Sequence, residues 1–271
     1  MPELPEVETS LRGIEPHLRG HLIDRLEVRE PRLRWPIPPD TGERVAGQHI
    51  LALRRRGKYL LLDLEQGVLM LHLGMSGSLR VLPASTPPGP HDHVDLCLDE
   101  GPCLRFRDPR RFGMLQWTAA PAEAHPLLRD LGPEPLEPAF SGAYLHRRAR
   151  GRRAAIKTFI MDSQVVVGVG NIYANEALHL ARIHPSRAAG RISRARLEVL
   201  AGAIREVLAA AIAQGGTSLR DFVQEDGKPG YFAQSLRVYG RAEQPCPNCG
   251  ARIRQRRIGQ RSSFYCAACQ R

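Results

Sequence analysis

The sequence predicts a multidomain α+β protein, and three observations predict it. From about residue 25 to residue 118 the chain is written in short apolar runs separated by tight turns. Beyond residue 136 the apolar period becomes that of helices. The last stretch carries four cysteines in two C-x2-C pairs. The length, 271 residues, allows two medium domains and a small appendage. The expected division is a β domain over 1–118, a linker over 119–136, a helical domain over 137–234 and a cysteine-bearing tail over 237–271.

The first element is helical. In MPELPEVETS, proline suits a first turn because its missing N–H is not needed there. Carboxylates in that turn complement the positive end of the helix. Leu4, Val7, Leu11 and Ile14 repeat at three- and four-residue spacing, which predicts an amphipathic helix from about Pro2 to Ile14. The strand text follows: LALRRR, YLLLDL, VLMLHL, SLRVL, HVDLCLD, CLRFRD and MLQW. Their turns are RGK, EQG, GMSG, a Pro-rich loop from Leu82 to Pro90, EG and DPRRFG. Short strands with tight turns and few intervening helices predict an antiparallel β-sandwich or barrel. The stretch APAEAHPLLRDLGPEPLEPAF reads as a hinge. YLHRRARG, RRAAIKTFIMD and NIYANEALHLARI read as helices. Ser193 can cap a long helix that Gly215 and Gly216 stop, and a glycine-rich loop with EDGKPGYF comes next.

No apolar run is long enough to span a bilayer, and no basic-then-apolar leader opens the chain, so cytoplasmic residence is expected. The formal charge is +11 and the pI is near 10, which favours polyanionic partners. Only Lys58, Lys157 and Lys228 are lysines; the other cations are arginines, which hold phosphate bidentately and keep their proton. A lysine against that background marks a position where a removable proton could be needed. Cys97 and Cys103 lie in strand text and read as buried thiols.

Cys246, Cys249, Cys266 and Cys269, with 16 residues between the pairs, have the spacing of a zinc ribbon. Four thiolates close a tetrahedral structural site around one zinc ion. Two disulfides are the alternative, disfavoured in a reducing compartment. Between the pairs stand Arg252, Arg254, Arg256, Arg257 and Arg261, a basic hairpin suited to phosphate. Gly168-Val169-Gly170-Asn171 precedes a helix, where backbone N–H groups and an Asn side chain can hold phosphate, or simply cap a turn. Asp108-Pro109-Arg110-Arg111-Phe112-Gly113 is either a plain β-turn or a loop presenting an arginine beside an apolar wedge. Removal of Met1 would leave Pro2 with a free secondary amine next to Glu3.

Taken together, PELPEVE, RRRGKYLLL, HLGMSGSL, HDHVDL, DPRRFG, VVGVGNIYANEAL, DGKPGYFAQ and the paired C-x2-C motifs resemble the formamidopyrimidine-DNA glycosylase family, and the likeness runs from Pro2 to Cys269. The related endonuclease VIII branch usually begins PEGPE; Leu4 and DGKPGYF here point to the formamidopyrimidine branch. The resemblance implies an N-terminal β-sandwich with a leading helix, a helix–two-turn–helix domain and a C-terminal zinc finger, with DNA in the cleft between the halves. It implies a monomeric bacterial enzyme of base excision repair that removes 8-oxoguanine and formamidopyrimidines from duplex DNA and nicks the strand by β,δ-elimination. Pro2 matches the family's nucleophile, Glu3 its acid, Lys58 the lysine that assists base loss and β-elimination, and Arg261 an arginine assigned to δ-elimination. With a pKa above about 12, Arg261 suits a phosphate clamp better than an acid. His91, Arg110, Arg153 and Asn171 match DNA contacts; many relatives carry lysine where Arg153 stands. Met75, Arg110 and Phe112 match the triad that fills the space left by an extruded base, and Gln224 to Tyr231 the loop that covers it. An α-amine is unprotonated at neutral pH roughly a few hundred times more often than a lysine, which favours Pro2 as nucleophile. Two other readings fit less of this text: an oxidised-pyrimidine glycosylase of the endonuclease VIII type, and a non-catalytic zinc-stabilised binder of damaged DNA.

Overall fold

The computed structural model describes residues 2–99, 101–216 and 235–271. The chain divides into two compact units, which part between Arg129 and Asp130. No helix among the described residues is long and apolar enough to cross a membrane.

The first helix, α1, spans Leu4–Leu18. Its N-cap is Glu3, whose N–H donates to the Glu6 carboxylate at 2.8 Å. The proline that serves the first turn is therefore Pro5, and Pro2 lies outside the helix, a correction to the expected start. The helix also runs past Ile14, through Pro16, because Leu18 continues the apolar stripe: Leu4, Val7, Leu11, Ile14 and Leu18 are all buried.

After α1 come β1 (Ile23–Val28), α2 (Thr41–Val45) and seven further strands. These are β2 (Ile50–Arg56), β3 (Tyr59–Leu64), β4 (Val68–His72), β5 (Ser78–Pro83), β6 (Asp92–Leu98), β7 (Pro102–Arg107) and β8 (Met114–Thr118). They form two four-stranded sheets, ordered β1-β6-β7-β5 and β2-β3-β4-β8, with every pairing antiparallel. One core joins them. Leu60, Leu62, Leu69, Leu71 and Leu115 of one sheet meet Leu79, Val94, Leu96, Leu104 and Phe106 of the other, and Val7, Leu11 and Ile14 of α1 close the cluster. This is the expected β-sandwich with a leading helix. Cys97 and Cys103 face each other across β6 and β7 as buried free thiols. Buried in the same sheet, Arg105 grips Asp95 with Nε and Nη2, both at 2.8 Å. It also donates to the carbonyls of Thr86 and Pro87, which ties down the Pro-rich loop.

The second unit holds α3 (Gly142–Ala149), α4 (Ile156–Ile160), α5 (Asn171–Leu180) and α6 (Arg194–Ala213). Ser193 caps α6 by accepting from the Arg196 N–H, and Gly215 follows the helix at φ +74°. Two turns and a 3-10 segment (Ala189–Arg191) separate α5 from α6, as a helix–two-turn–helix domain requires. Only Ile156–Ile160 of RRAAIKTFIMD is helical. Ala155 instead bridges to Ala188 and the Ile156 N–H donates to the Arg187 carbonyl, so tertiary pairing overrides local helix preference there. The tail is a hairpin, β9 (Arg254–Ile258) and β10 (Arg261–Tyr265). Gly259 and Gln260, both at positive φ, make the two-residue type I′ turn between them. The tail has a small apolar cluster of its own, Val238, Ile253 and Phe264 beside Cys246 and Cys266.

Gly74 is a point of close backbone approach between the GMSG and DPRRFG loops. It sits at φ +65°, and a Cβ there would lie 2.5 Å from the Gly113 nitrogen and the Phe112 carbonyl oxygen. Gly47 has φ +76° but open space around it. Gly74→Ala is expected to cost about 2–4 kcal/mol in urea unfolding, and Gly47→Ala about 1 kcal/mol. Equal losses would show that the backbone approach at Gly74 is not the constraint.

Candidate active site and nucleic-acid interface

Pro2 and Glu3 are both buried. The β2–β3 turn carrying Lys58 is tied to the same helix. Arg55 donates from Nε to Glu8 of α1 at 2.9 Å and from Nη1 to the Gly57 carbonyl at 2.9 Å. Burial pushes the Glu8 carboxyl up, but the hydrogen bonds from Arg55 and Arg12 outweigh it and hold the group below its ordinary value. Gly57, at φ +59°, supplies the backbone that a two-residue turn needs at its first position and leaves Lys58 half-buried at the second.

His72, at the end of β4, lies within electrostatic reach of Lys58 and was not singled out in the sequence. Burial and the nearby charges of Lys58 and Arg34 push its pKa down to about 4, so it is neutral at physiological pH. Its Nδ1 accepts the Gly74 N–H at 2.9 Å, which leaves the proton on Nε2. Its ring packs against Tyr59 with centroids 4.8 Å apart. The sequence signal was the histidine that opens HLGMSG, two residues before the glycine that its ring must meet.

A second cluster gathers around Asp108, which is fully buried. Oδ1 accepts from Ser76 Oγ at 2.7 Å, and Oδ2 accepts from the Gly113 N–H at 2.7 Å. Ser76 Oγ in turn accepts the Arg110 N–H at 3.1 Å, and the Asp108 N–H donates to the His91 carbonyl. Met75, Arg110 and Phe112 thus stand on loops that the Asp108 carboxylate holds together, and its backbone N–H ties in the segment of His91. Phe112 is 42 % exposed, and the Arg110 guanidinium stands 5.2 Å from its ring centre. A plain turn with a half-buried ring does not describe this loop. An exposed aromatic with a cation over its face does.

In the second unit, Asn171 is the first residue of α5, after the N-cap Gly170. Its Oδ1 is buried with no hydrogen-bond partner. Arg153 is exposed in the segment before α4, and Arg261 is exposed at the first position of β10. The hairpin that carries Arg261 is anchored from behind. Lys157 is buried and donates to the Ser262 carbonyl at 2.8 Å and to Ser263 Oγ at 2.6 Å. Asn175 accepts the Phe264 N–H at 2.7 Å. Glu176 accepts the N–H groups of Arg237, Val238 and Tyr239 at 2.8, 3.0 and 2.8 Å. Burial pushes the Glu176 carboxyl above its ordinary value against those three donors.

Cys246, Cys249, Cys266 and Cys269 bring their four sulfurs within 4.8 Å of one another, and none is in a disulfide. The Cys249–Cys266 and Cys246–Cys269 sulfurs are 3.5 and 3.9 Å apart. A tetrahedron with Zn–S bonds of about 2.3 Å has edges of about 3.8 Å, so the residues present fit one structural zinc ion. The expected covering loop, Gln224 to Tyr231, lies outside the described residues.

Three family profiles match the chain: the formamidopyrimidine-DNA glycosylase N-terminal domain over residues 1–115, the formamidopyrimidine-DNA glycosylase H2TH domain over 131–223, and a zinc finger found in FPG and IleRS over 243–271. The chain is 63 % identical to the formamidopyrimidine-DNA glycosylase of Methylococcus capsulatus over 271 residues, and 60 % identical to that of Alkalilimnicola ehrlichii over 277, with both partners covered completely. Among solved structures, it is similar to the MutM (Fpg) protein of Thermus thermophilus at 39 % identity and a TM-score of 0.89, covering 99 % of this chain and 98 % of that one. It is also similar to the Lactococcus lactis Fpg solved with DNA containing an abasic site, at 31 % identity and a TM-score of 0.90, covering 99 % of each. The chain belongs to the formamidopyrimidine-DNA glycosylase family.

Proposed function

We propose that this chain is a bifunctional DNA glycosylase and AP lyase that removes oxidised purines, 8-oxoguanine and formamidopyrimidines, from duplex DNA and acts as a monomer. The observation that carries the reading is the N-terminus: Pro2 and Glu3 are buried ahead of α1, with the Glu3 amide held by Glu6. Once Met1 is removed, Pro2 offers a secondary amine in ordered surroundings. Its nitrogen attacks C1′ of the damaged nucleotide and the base leaves with the C1′–N bond electrons. Glu3 protonates the opening sugar. The adduct of a secondary amine is a charged iminium, an electron sink for elimination. Lys58 assists at the departing base and takes the proton lost in β-elimination.

The target base must leave the stack before C1′ is reachable. Met75, Arg110 and Phe112 enter the space it vacates, and the stacked Arg110–Phe112 pair meets the base step as one rigid wedge. His91, Arg153 and Asn171 contact the DNA backbone, Asn171 through its amide Nδ2. Arg261 clamps the phosphate beside the lesion during δ-elimination. The neutral His72 adds an uncharged N–H donor next to the Lys58 ammonium, which lets both face a single phosphate without repelling each other. Cys246, Cys249, Cys266 and Cys269 would hold one zinc ion as a structural crosslink beneath the arginine-bearing hairpin.

Duplexes carrying 8-oxoguanine or thymine glycol test the substrate. The purine lesion is expected to be cut at least tenfold faster, and robust cutting of the pyrimidine lesion alone would overturn the assignment. Lys58→Gln is expected to lower base release by about 10²-fold while leaving duplex affinity within a few-fold. Long-range ¹H–¹⁵N spectra should show His72 as the neutral Nε2–H tautomer at pH 5.5, with protonation only as the pH falls toward about 4. An imidazolium at pH 5.5 would contradict its role as an uncharged donor.

A further inference from the structure

The finger docks on one face of α5, and the docking has a third contact whose partner is a zinc ligand. Asn175 and Glu176 hold the Phe264 amide and the amides of residues 237–239. His179 follows them at the four- and three-residue spacing that shares a helix face. It is fully buried, and its Nε2 is 3.4 Å from Cys246 Sγ. Its Nδ1 is buried without a hydrogen-bond partner.

We propose that His179 is a positioning residue for the zinc centre: its Nε2–H donates to the Cys246 thiolate and fixes that sulfur in the metal's tetrahedron. The chemistry of the pair decides the tautomer. A zinc-bound thiolate has no proton and can only accept, so the proton of a neutral His179 sits on Nε2. The other tautomer would turn a lone pair toward the sulfur and bury an unsatisfied N–H at Nδ1. Four thiolates on a divalent ion leave excess negative charge on sulfur, and an N–H donor in a dry setting stabilises it. The unpartnered Nδ1 argues against a merely structural histidine. A buried acceptor without a partner is unfavourable, and a phenylalanine would fill the same space without it. The inference concerns the finger alone and stands whether or not Pro2 is the nucleophile.

The zinc-loaded protein and its His179→Phe and His179→Gln variants test the proposal. Zinc transfer to a chromogenic chelator is followed with time, and thermal unfolding of each loaded protein is recorded beside it. His179→Phe is expected to release zinc about 10- to 100-fold faster, the usual effect of losing a partner of a metal ligand. His179→Gln, which keeps an N–H donor, should recover most of that loss. In the cadmium-substituted wild type, the ¹¹³Cd resonance should couple to the His179 Nε2–H across the sulfur, and in His179→Phe it should shift. Wild-type release from His179→Phe would overturn the proposal. So would equal release from the two variants, or a wild-type histidine that carries its proton on Nδ1. The last measurement needs no variant, so it decides the matter even where a substitution prevents folding.

Discussion

The hydrogen bond from the Glu3 N–H to the Glu6 carboxylate is the contact on which the proposed catalytic end of the molecule depends. A helix start leaves backbone donors without partners, and Glu6 takes the one that fixes where the chain enters α1. Pro5 stabilises the first turn, so Pro2 is left outside the helix with no duty in it. A proline in that place has an amine that helix formation neither uses nor needs. In the proposed reaction that amine is the nucleophile.

The same device recurs wherever a loop must be held. Asp108 gathers the segments bearing Met75, Arg110 and Phe112 by accepting from Ser76 and from the Gly113 amide, and its own N–H donates to the His91 carbonyl. Glu176 gathers the entry to the zinc finger by accepting three consecutive amides. Each carboxylate is buried, and each holds backbone at a place where exposed cations are presented. Of the chain's 28 acidic groups, some pair with arginines at the surface, as Asp40 does with Arg44 and Glu30 with Arg32. Asp108 and Glu176, on the inside, order loops instead. Lys157 does the converse job, donating from the interior to the hairpin that carries Arg261.

Much of this was legible in the sequence. Strands β2 to β8 follow from apolar runs and turn residues, and α6 from its serine cap and glycine stop, because those signals are local. The start of α1 was misread because two prolines compete for one first turn and only the cap geometry distinguishes them. The segment before Ile156 was misread because its pairing with residues 187 and 188 is remote in sequence. The scarcity of lysine drew attention to Lys58 and Lys157 alike, yet burial separates them: Lys157 is spent on the hairpin. The motif DPRRFG displayed its arginine and phenylalanine, but not that its aspartate organises them. The neutrality of His72 was out of reach, since it depends first on burial and then on Lys58 and Arg34, all set by folding. The zinc ligands were fully legible, because thiolate spacing is itself the signature.

Borohydride reduction during reaction with an 8-oxoguanine duplex, followed by proteolysis and mass mapping of the adduct, tests the central claim most directly. The account predicts one covalent protein–DNA species whose modified peptide begins at Pro2, without Met1, and bears the deoxyribose on its terminal nitrogen. An adduct on Lys58 or on any other amine, or a fully active enzyme that still carries Met1, would contradict it.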